Sequence, residues 1–143
     1  MRILVDADAC PVKEIIIKIA KEHKIPTVMF TDTSHIINDG YSEVVTVDKA
    51  RDSVDIALIN RALKGDVVVT QDYGVAALAL PKGARVINQN GLVYTNDNID
   101  KLLFERHLSQ KVRRMGGRAS GPKRRTKEDD ERFEAAFKKL LAV

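Results

Sequence analysis

Two carboxylates, Asp6 and Asp8, stand on either side of one alanine, directly after the apolar run Ile3 to Val5. Residues two apart in a strand point to the same face, and Pro11 suits the first turn of a following helix. Two further acids occur where a neighbouring element would bring them close: Asp55, three residues after Asp52, and Asp72, just past the run Val67 to Thr70. Anions gathered this tightly repel one another unless a proton or a cation lies between them. With no His or Cys among them, they select a hard cation, Mg²⁺ or Mn²⁺ rather than Zn²⁺. Carboxylate-held cations of this kind serve phosphodiester hydrolysis. Asp6, Asp8, Asp55 and Asp72 are therefore the expected metal ligands and catalytic residues.

The other reactive side chains offer less. Cys10 is the single cysteine, so no internal disulfide can form, and no base stands near it in sequence. His23 and His107 lie in Lys/Arg-rich helical stretches and His35 in a loop, and all three read as surface residues. Asp32 and Asp48 read as turn and helix-start residues. For Asp55 the ordinary partner would be Arg51, four residues earlier on a helix running from Asp48 to about Lys64. On that helix Asp55 would sit well inside, on the face that Ile56, Ile59, Ala62 and Leu63 present to a sheet.

These acids need a frame. Strand-like runs at Ile3 to Val5, Thr27 to Thr31, Glu43 to Val47, Val67 to Thr70 and Arg85 to Asn88 alternate with helical patterns. The helical stretches are Pro11 to His23, Asp48 to Lys64, a short one after Gly74, about Asp97 to Met115, and one opened by Thr126 and Asp129 as a capping box. A small hairpin through Gly91 to Tyr94 precedes the fourth helix. The alternation predicts a three-layer α/β/α fold with a mainly parallel central sheet of about five strands. Every strand ends in polar residues, so a parallel sheet would place them along its carboxyl edge, where such folds bind ligands. Residues 1–115 form the expected α/β domain, and residues 116–143 a basic loop and a C-terminal helix packed on or beside it.

The net charge of +4 hides a division. Nine Lys/Arg and no acid fall between Arg106 and Lys127, and the remainder carries fifteen basic and twenty acidic residues. A basic, Gly-rich segment beside an acidic metal site suits a phosphate-backbone substrate. Lys13, Arg113, Arg114, Arg118, Lys123, Arg124, Arg125 and Lys127 are the expected contacts. Few aromatics interleave with them, so contact would run to phosphates and be largely blind to sequence. No apolar run is long enough to span a bilayer and the N-terminus does not read as a signal peptide, so a cytoplasmic location is expected. The sequence does not fix an oligomeric state.

The blocks Val5 to Lys13 (VDADACPVK), Arg51 to Asp55 (RDSVD), Val69 to Gly74 (VTQDYG) and Gly121 to Phe133 (GPKRRTKEDDERF) resemble the bacterial YaiI/YqxD family, across essentially the whole chain. That family is grouped with PIN-like nucleases, so the resemblance implies a parallel sheet covered by helices on both sides. The PIN-like pattern has an Asp ending the first strand, an acid in a middle helix and an Asp after the fourth strand. Asp6, Asp55 and Asp72 match it one by one, with Asp8 as an extra beside the first. A further acid two residues beyond the last is absent, and Gly74 stands there. Asn88 and Asn90 after the fifth strand are weaker ligands. This departure implies a loosely held metal, or one metal in place of two.

Three functions remain open on the sequence. The first is a metal-dependent nuclease acting on RNA rather than DNA. The second is a non-catalytic nucleic-acid-binding module with a degenerate metal site. The third is similar to haloacid-dehalogenase phosphatases, with Asp6 as nucleophile, Asp8 as acid/base and Thr31 after the next strand.

Overall fold

Short runs of branched aliphatic residues build the sheet: β1 (Ile3–Asp6), β2 (Thr27–Asp32), β3 (Glu43–Val47), β4 (Val67–Val69) and β5 (Arg85–Ile87). The computed structural model describes residues 1–117 and 124–143. These five strands are parallel, and β6 (Val93–Tyr94) pairs antiparallel with β5, giving the order β3-β2-β1-β4-β5-β6. The sheet thus has six strands where about five were expected. The sixth is the return arm of the hairpin at Gly91, whose φ of 88° and 2.8 Å approach of a notional Cβ to the Arg132 carbonyl oxygen leave no room for a side chain.

Alternation along the strands fills two cores. Ile3, Val5, Met29, Val67, Val69 and Ile87 point to one face, against α1 (Lys13–His23) and α5 (Lys127–Leu141). Leu4, Val28, Phe30, Val68 and Val86 point to the other, against α2 (Ser53–Arg61), α3 (Tyr73–Ala79) and α4 (Asn96–Arg114). Three layers result. On the first face Phe133 and Phe137 of α5 stack with ring centroids 5.1 Å apart and are fully buried, so the C-terminal helix shares the core of α1. The predicted Thr126–Asp129 capping box opens α5, and Thr95 with Asn98 forms a second one at the start of α4.

The second helix departs from expectation. It is shorter, Ser53–Arg61, because residues 49–52 form a bend and turn and Asp52, at φ 65°, enters in the left-handed region. At its other end Ala62 is extended and the Leu63 N–H donates to Asp66 Oδ2 at 3.0 Å, which ends the helix early. The buried face also differs: Leu58 and Ala62 face the core, whereas Ile56 and Leu63 are exposed. Asp48 is therefore not the helix start, and Asp55 lies in the first turn rather than deep inside.

Beyond Leu103, α4 is almost entirely exposed and carries Arg106, Arg113 and Arg114 away from the core. Among the described residues, no helix is long and apolar enough to cross a membrane.

Candidate metal centre

Strands β1 and β4 are neighbours with Val5 opposite Val69, so Asp6 and Thr70 leave the sheet side by side. The Thr70 hydroxyl donates to Asp6 Oδ2 at 3.0 Å, and its oxygen accepts the Asp72 backbone N–H at 3.0 Å. One threonine therefore holds both acids in place. Asp72 is also the N-cap of α3: its Oδ1 accepts from the N–H groups of Gly74 at 2.8 Å and Val75 at 3.2 Å. Gly74 leaves space for this, since a Cβ there would lie 3.1 Å from that oxygen.

The first turn of α2 carries Asp55 to the same edge. Burial pushes the Asp6 carboxyl up to about 6, and the charges of Asp55, Asp72 and Asp8 add to the shift against the Thr70 hydrogen bond. Asp55 is likewise pushed up to about 6, by burial first and then by the charges of Asp72 and Asp52. A hydrogen bond with Asp72 also favours its neutral form, and Arg106 opposes the shift. Arg51, the expected ordinary partner, is exposed and lies 4.0 Å from Asp52 instead. Three of the four predicted acids thus lie within electrostatic reach of one another with Asp8 beside them, but among the described residues no three of the four bring ligand atoms within 4.8 Å of one another.

Asp8 has a second set of neighbours. Its Oδ1 accepts from the Thr31 hydroxyl at 2.6 Å and lies 3.2 Å from His35 Nδ1. That nitrogen is also 3.2 Å from Asp32 Oδ1, an oxygen that accepts from the Ser34 backbone N–H at 2.8 Å and from the Ser34 hydroxyl. Among the described residues, Asp8, Asp32 and His35 are the group whose ligand atoms all lie within 4.8 Å of one another. In the sequence Asp32 reads as a turn residue and His35 as a surface residue. The residues that bring them together are in the paired register of β1 and β2, which spacing along the chain does not reveal.

A cleft of about 250 Å³ runs between these groups, lined by Asp6, Asp8, Asp32, Asp48, Asp52 and Asp55. Beside it is a groove of about 430 Å³, where Asp52, Asp55 and Asp72 meet Arg106, Ile56 and Leu78. Arg106 Nη1 is 3.9 Å from Asp72 Oδ1, a contact with no sequence signal. Oxygen donors gathered in a cleft, with two of them harder to ionise than usual, fit a divalent cation, which would relieve the repulsion. Cys10 is no rival centre, because burial pushes its thiol up.

The basic residues divide. Arg113, Arg114, Arg124 and Lys127 are exposed, and Arg118 and Lys123 lie outside the described residues. Lys13 Nζ donates to the Ala7 carbonyl at 3.3 Å, beside the Asp6–Asp8 turn. Arg125 is not free: Nε donates to Asp130 at 2.7 Å, Nη1 to Asn90 and Nη2 to the Gln89 carbonyl, both at 2.8 Å. Its guanidinium ties α5 to the turn after β5. Asn88 and Asn90 are engaged in the same turn, Asn88 through the N–H groups of Asn90 and Leu92.

Comparison with known proteins identifies relatives over the full length. The chain is 68% identical over 137 residues to the UPF0178 protein of Ruminiclostridium cellulolyticum, covering 96% of this chain and 90% of that one. It is 55% identical over 143 residues to the UPF0178 protein of Clostridium acetobutylicum, with 99% and 97% covered. The UPF0178 protein of Natranaerobius thermophilus is 46% identical over 141 residues, with 99% and 96% covered. No solved structure matches the chain. Residues 4–143 match the family described as "Uncharacterized BCR, YaiI/YqxD family", and the chain belongs to it.

Proposed function

We propose that the protein is a metal-dependent nuclease that hydrolyses phosphodiester bonds, in RNA ahead of DNA. The observation that carries this reading is the crowding of Asp6 and Asp55 with Asp72 at one sheet edge, both carboxyls pushed up to about 6. Asp6, Asp8, Asp55 and Asp72 would hold Mg²⁺ or Mn²⁺. When bound, such an ion supplies an activated water and stabilises charge on the leaving oxygen. Thr70 fixes Asp6 and Asp72 relative to each other, so that little reorganises when substrate arrives. Arg106, at the rim beside Asp72, is placed to meet a phosphate oxygen. Lys13 and the exposed Arg113, Arg114, Arg124 and Lys127 supply charge for the backbone, joined in sequence by Arg118 and Lys123. The preference for RNA rests on the PIN-like resemblance of Asp6, Asp55 and Asp72.

One observation favours a second reading, a nucleic-acid-binding module without catalysis. Asp72 Oδ1 is engaged in capping α3, and Gly74 brings no further carboxylate. Calorimetry with Mn²⁺, followed by cleavage of a mixed single-stranded RNA panel, separates the two. The nuclease reading expects Mn²⁺ binding and cleavage, both lost in Asp6→Asn. Should Asp6→Asn and Asp72→Asn both bind Mn²⁺ as wild type does, the metal assignment is wrong. Undiminished RNA binding in chelator, with no cleavage under either ion, selects the second reading.

A further inference from the structure

We infer that Asp8, Asp32 and His35 form a second cation position, sharing Asp8 with the four-acid cluster and selective for Zn²⁺ or Co²⁺ over Mg²⁺. The inference goes beyond the nuclease reading and stands or falls without it. Its basis is sheet register. Asp6 pairs with Phe30, and the Ala7 N–H continues the ladder to the Phe30 carbonyl at 2.9 Å. Asp8 and Asp32, each two residues further on, therefore leave adjacent strands at the same level. The turn after β2 then folds His35 back, so that Nδ1 lies 3.2 Å from an oxygen of each.

The donor chemistry sets the class of ion. Two carboxylate oxygens and one imidazole nitrogen suit a borderline cation, because imidazole favours Zn²⁺ and its neighbours while Mg²⁺ prefers oxygen and retained water. The three ligand atoms lie within 4.8 Å of one another, a spread that one ion can span. His35 is half exposed, so an ion reaches the site from solvent, and three protein ligands leave positions open for water or an incoming oxygen. Asp8 and Asp32 also line the 250 Å³ cleft that Asp6 and Asp55 share, so this ion would sit in the same cleft as the four-acid cluster. The sequence predicted a hard-cation site because no His stood near the four acids. The fold places one there.

The test uses the full chain, stripped of metal, with Zn²⁺ titrated by calorimetry and Co²⁺ followed by its visible absorption. His35→Ala and Asp32→Ala remove one ligand each, and Asp55→Asn and Asp72→Asn serve as controls on the neighbouring cluster. Wild type held in millimolar Mg²⁺, which fills the four-acid cluster, is expected to bind one further Zn²⁺ or Co²⁺. Affinity should fall by about tenfold or more in His35→Ala and in Asp32→Ala, with melting temperature in chelator unchanged. It should be retained in Asp55→Asn and Asp72→Asn. Equal binding in His35→Ala and wild type, no binding in wild type, or loss only in the Asp55 and Asp72 variants would each overturn the assignment. No Mg²⁺-dependent cleavage by wild type, with Zn²⁺ binding intact, would count against the nuclease reading alone.

Discussion

The two ends of the β1–β4 pair treat the same residue type in opposite ways. At the amino end Asp66, 4% exposed, faces Arg2: the guanidinium donates to Oδ2 at 2.8 Å and to Oδ1 at 3.4 Å, while the Leu63 N–H donates to Oδ2 at 3.0 Å. The same Arg2 donates to the Arg61 carbonyl at 2.8 Å, tying the end of α2 to the start of β1. At the carboxyl end Asp6 meets a threonine hydroxyl and three more carboxylates. Among the described residues, no Lys or Arg pairs with Asp6 or Asp55. Where the chain needs a buried carboxylate for structure, it supplies the countercharge itself. At the other edge, among the described residues, Asp6 and Asp55 have no such partner, and Arg106 lies 3.9 Å from Asp72.

That contrast breaks first at Arg2. Arg2→Ala would leave Asp66 buried and unpaired, and should cost about 2–4 kcal/mol in urea denaturation at neutral pH. Asp6→Asn should act with the opposite sign. A carboxyl at about 6 is ionised against resistance at pH 7, so without metal the amide should stabilise the protein by about 1–2 kcal/mol. The same variant should lose the stabilisation that saturating Mn²⁺ gives wild type. If Asp6→Asn weakens the metal-free protein at pH 7, Asp6 is structural and the two edges are alike.

The frame of the site is legible in the sequence, and its geometry is not. Aliphatic runs ending in Asp, Thr or Asn give the parallel sheet and its polar edge, because strand and helix periods differ and polar residues cannot continue a buried strand. The cap pair Thr126–Asp129 is local, so the chain order shows it. Asp55 reads as deep inside a helix starting at Asp48, but a bend and turn at 49–52 delay that helix, and no periodicity marks a residue such as Asp52 entering at positive φ. His35 was missed because its neighbours are set by the β1–β2 register, a long-range property. Arg2 and Asp66 went unnoticed for the same reason, being 64 residues apart.

The pH dependence sharpens the contrast further. Folded Asp6 and Asp55 hold protons up to about pH 6, whereas the unfolded chain releases them near 3.8. Between about pH 4 and 6 the folded state therefore binds more protons, and metal-free stability should fall as pH rises through that window, by about 1–2 kcal/mol from Asp6. Above pH 6 the penalty is fully present and the curve should flatten. Thermal melts in chelator at half-unit pH steps measure this, and Asp6→Asn should remove most of the slope. Proton and cation compete for the same oxygens, so Mn²⁺ affinity should weaken as pH drops below 6.

The smallest effect is expected at Asp72, where capping and ligation meet in one side chain. Its Oδ1 caps α3 and lies 3.9 Å from Arg106. Asn caps a helix about as well as Asp, so Asp72→Asn should stay within about 0.5 kcal/mol of wild type, while Asp72→Ala should lose about 1 kcal/mol. Both substitutions remove the charge that presses on Asp55, so both should lower the Asp55 carboxyl toward its ordinary value, measurable by NMR titration of the side-chain carboxyl carbon. Mn²⁺ binding should weaken equally in the two variants although only one loses stability. If it weakens in Asp72→Ala alone, Asp72 contributes through its cap and the carboxylate edge has one ligand fewer than four.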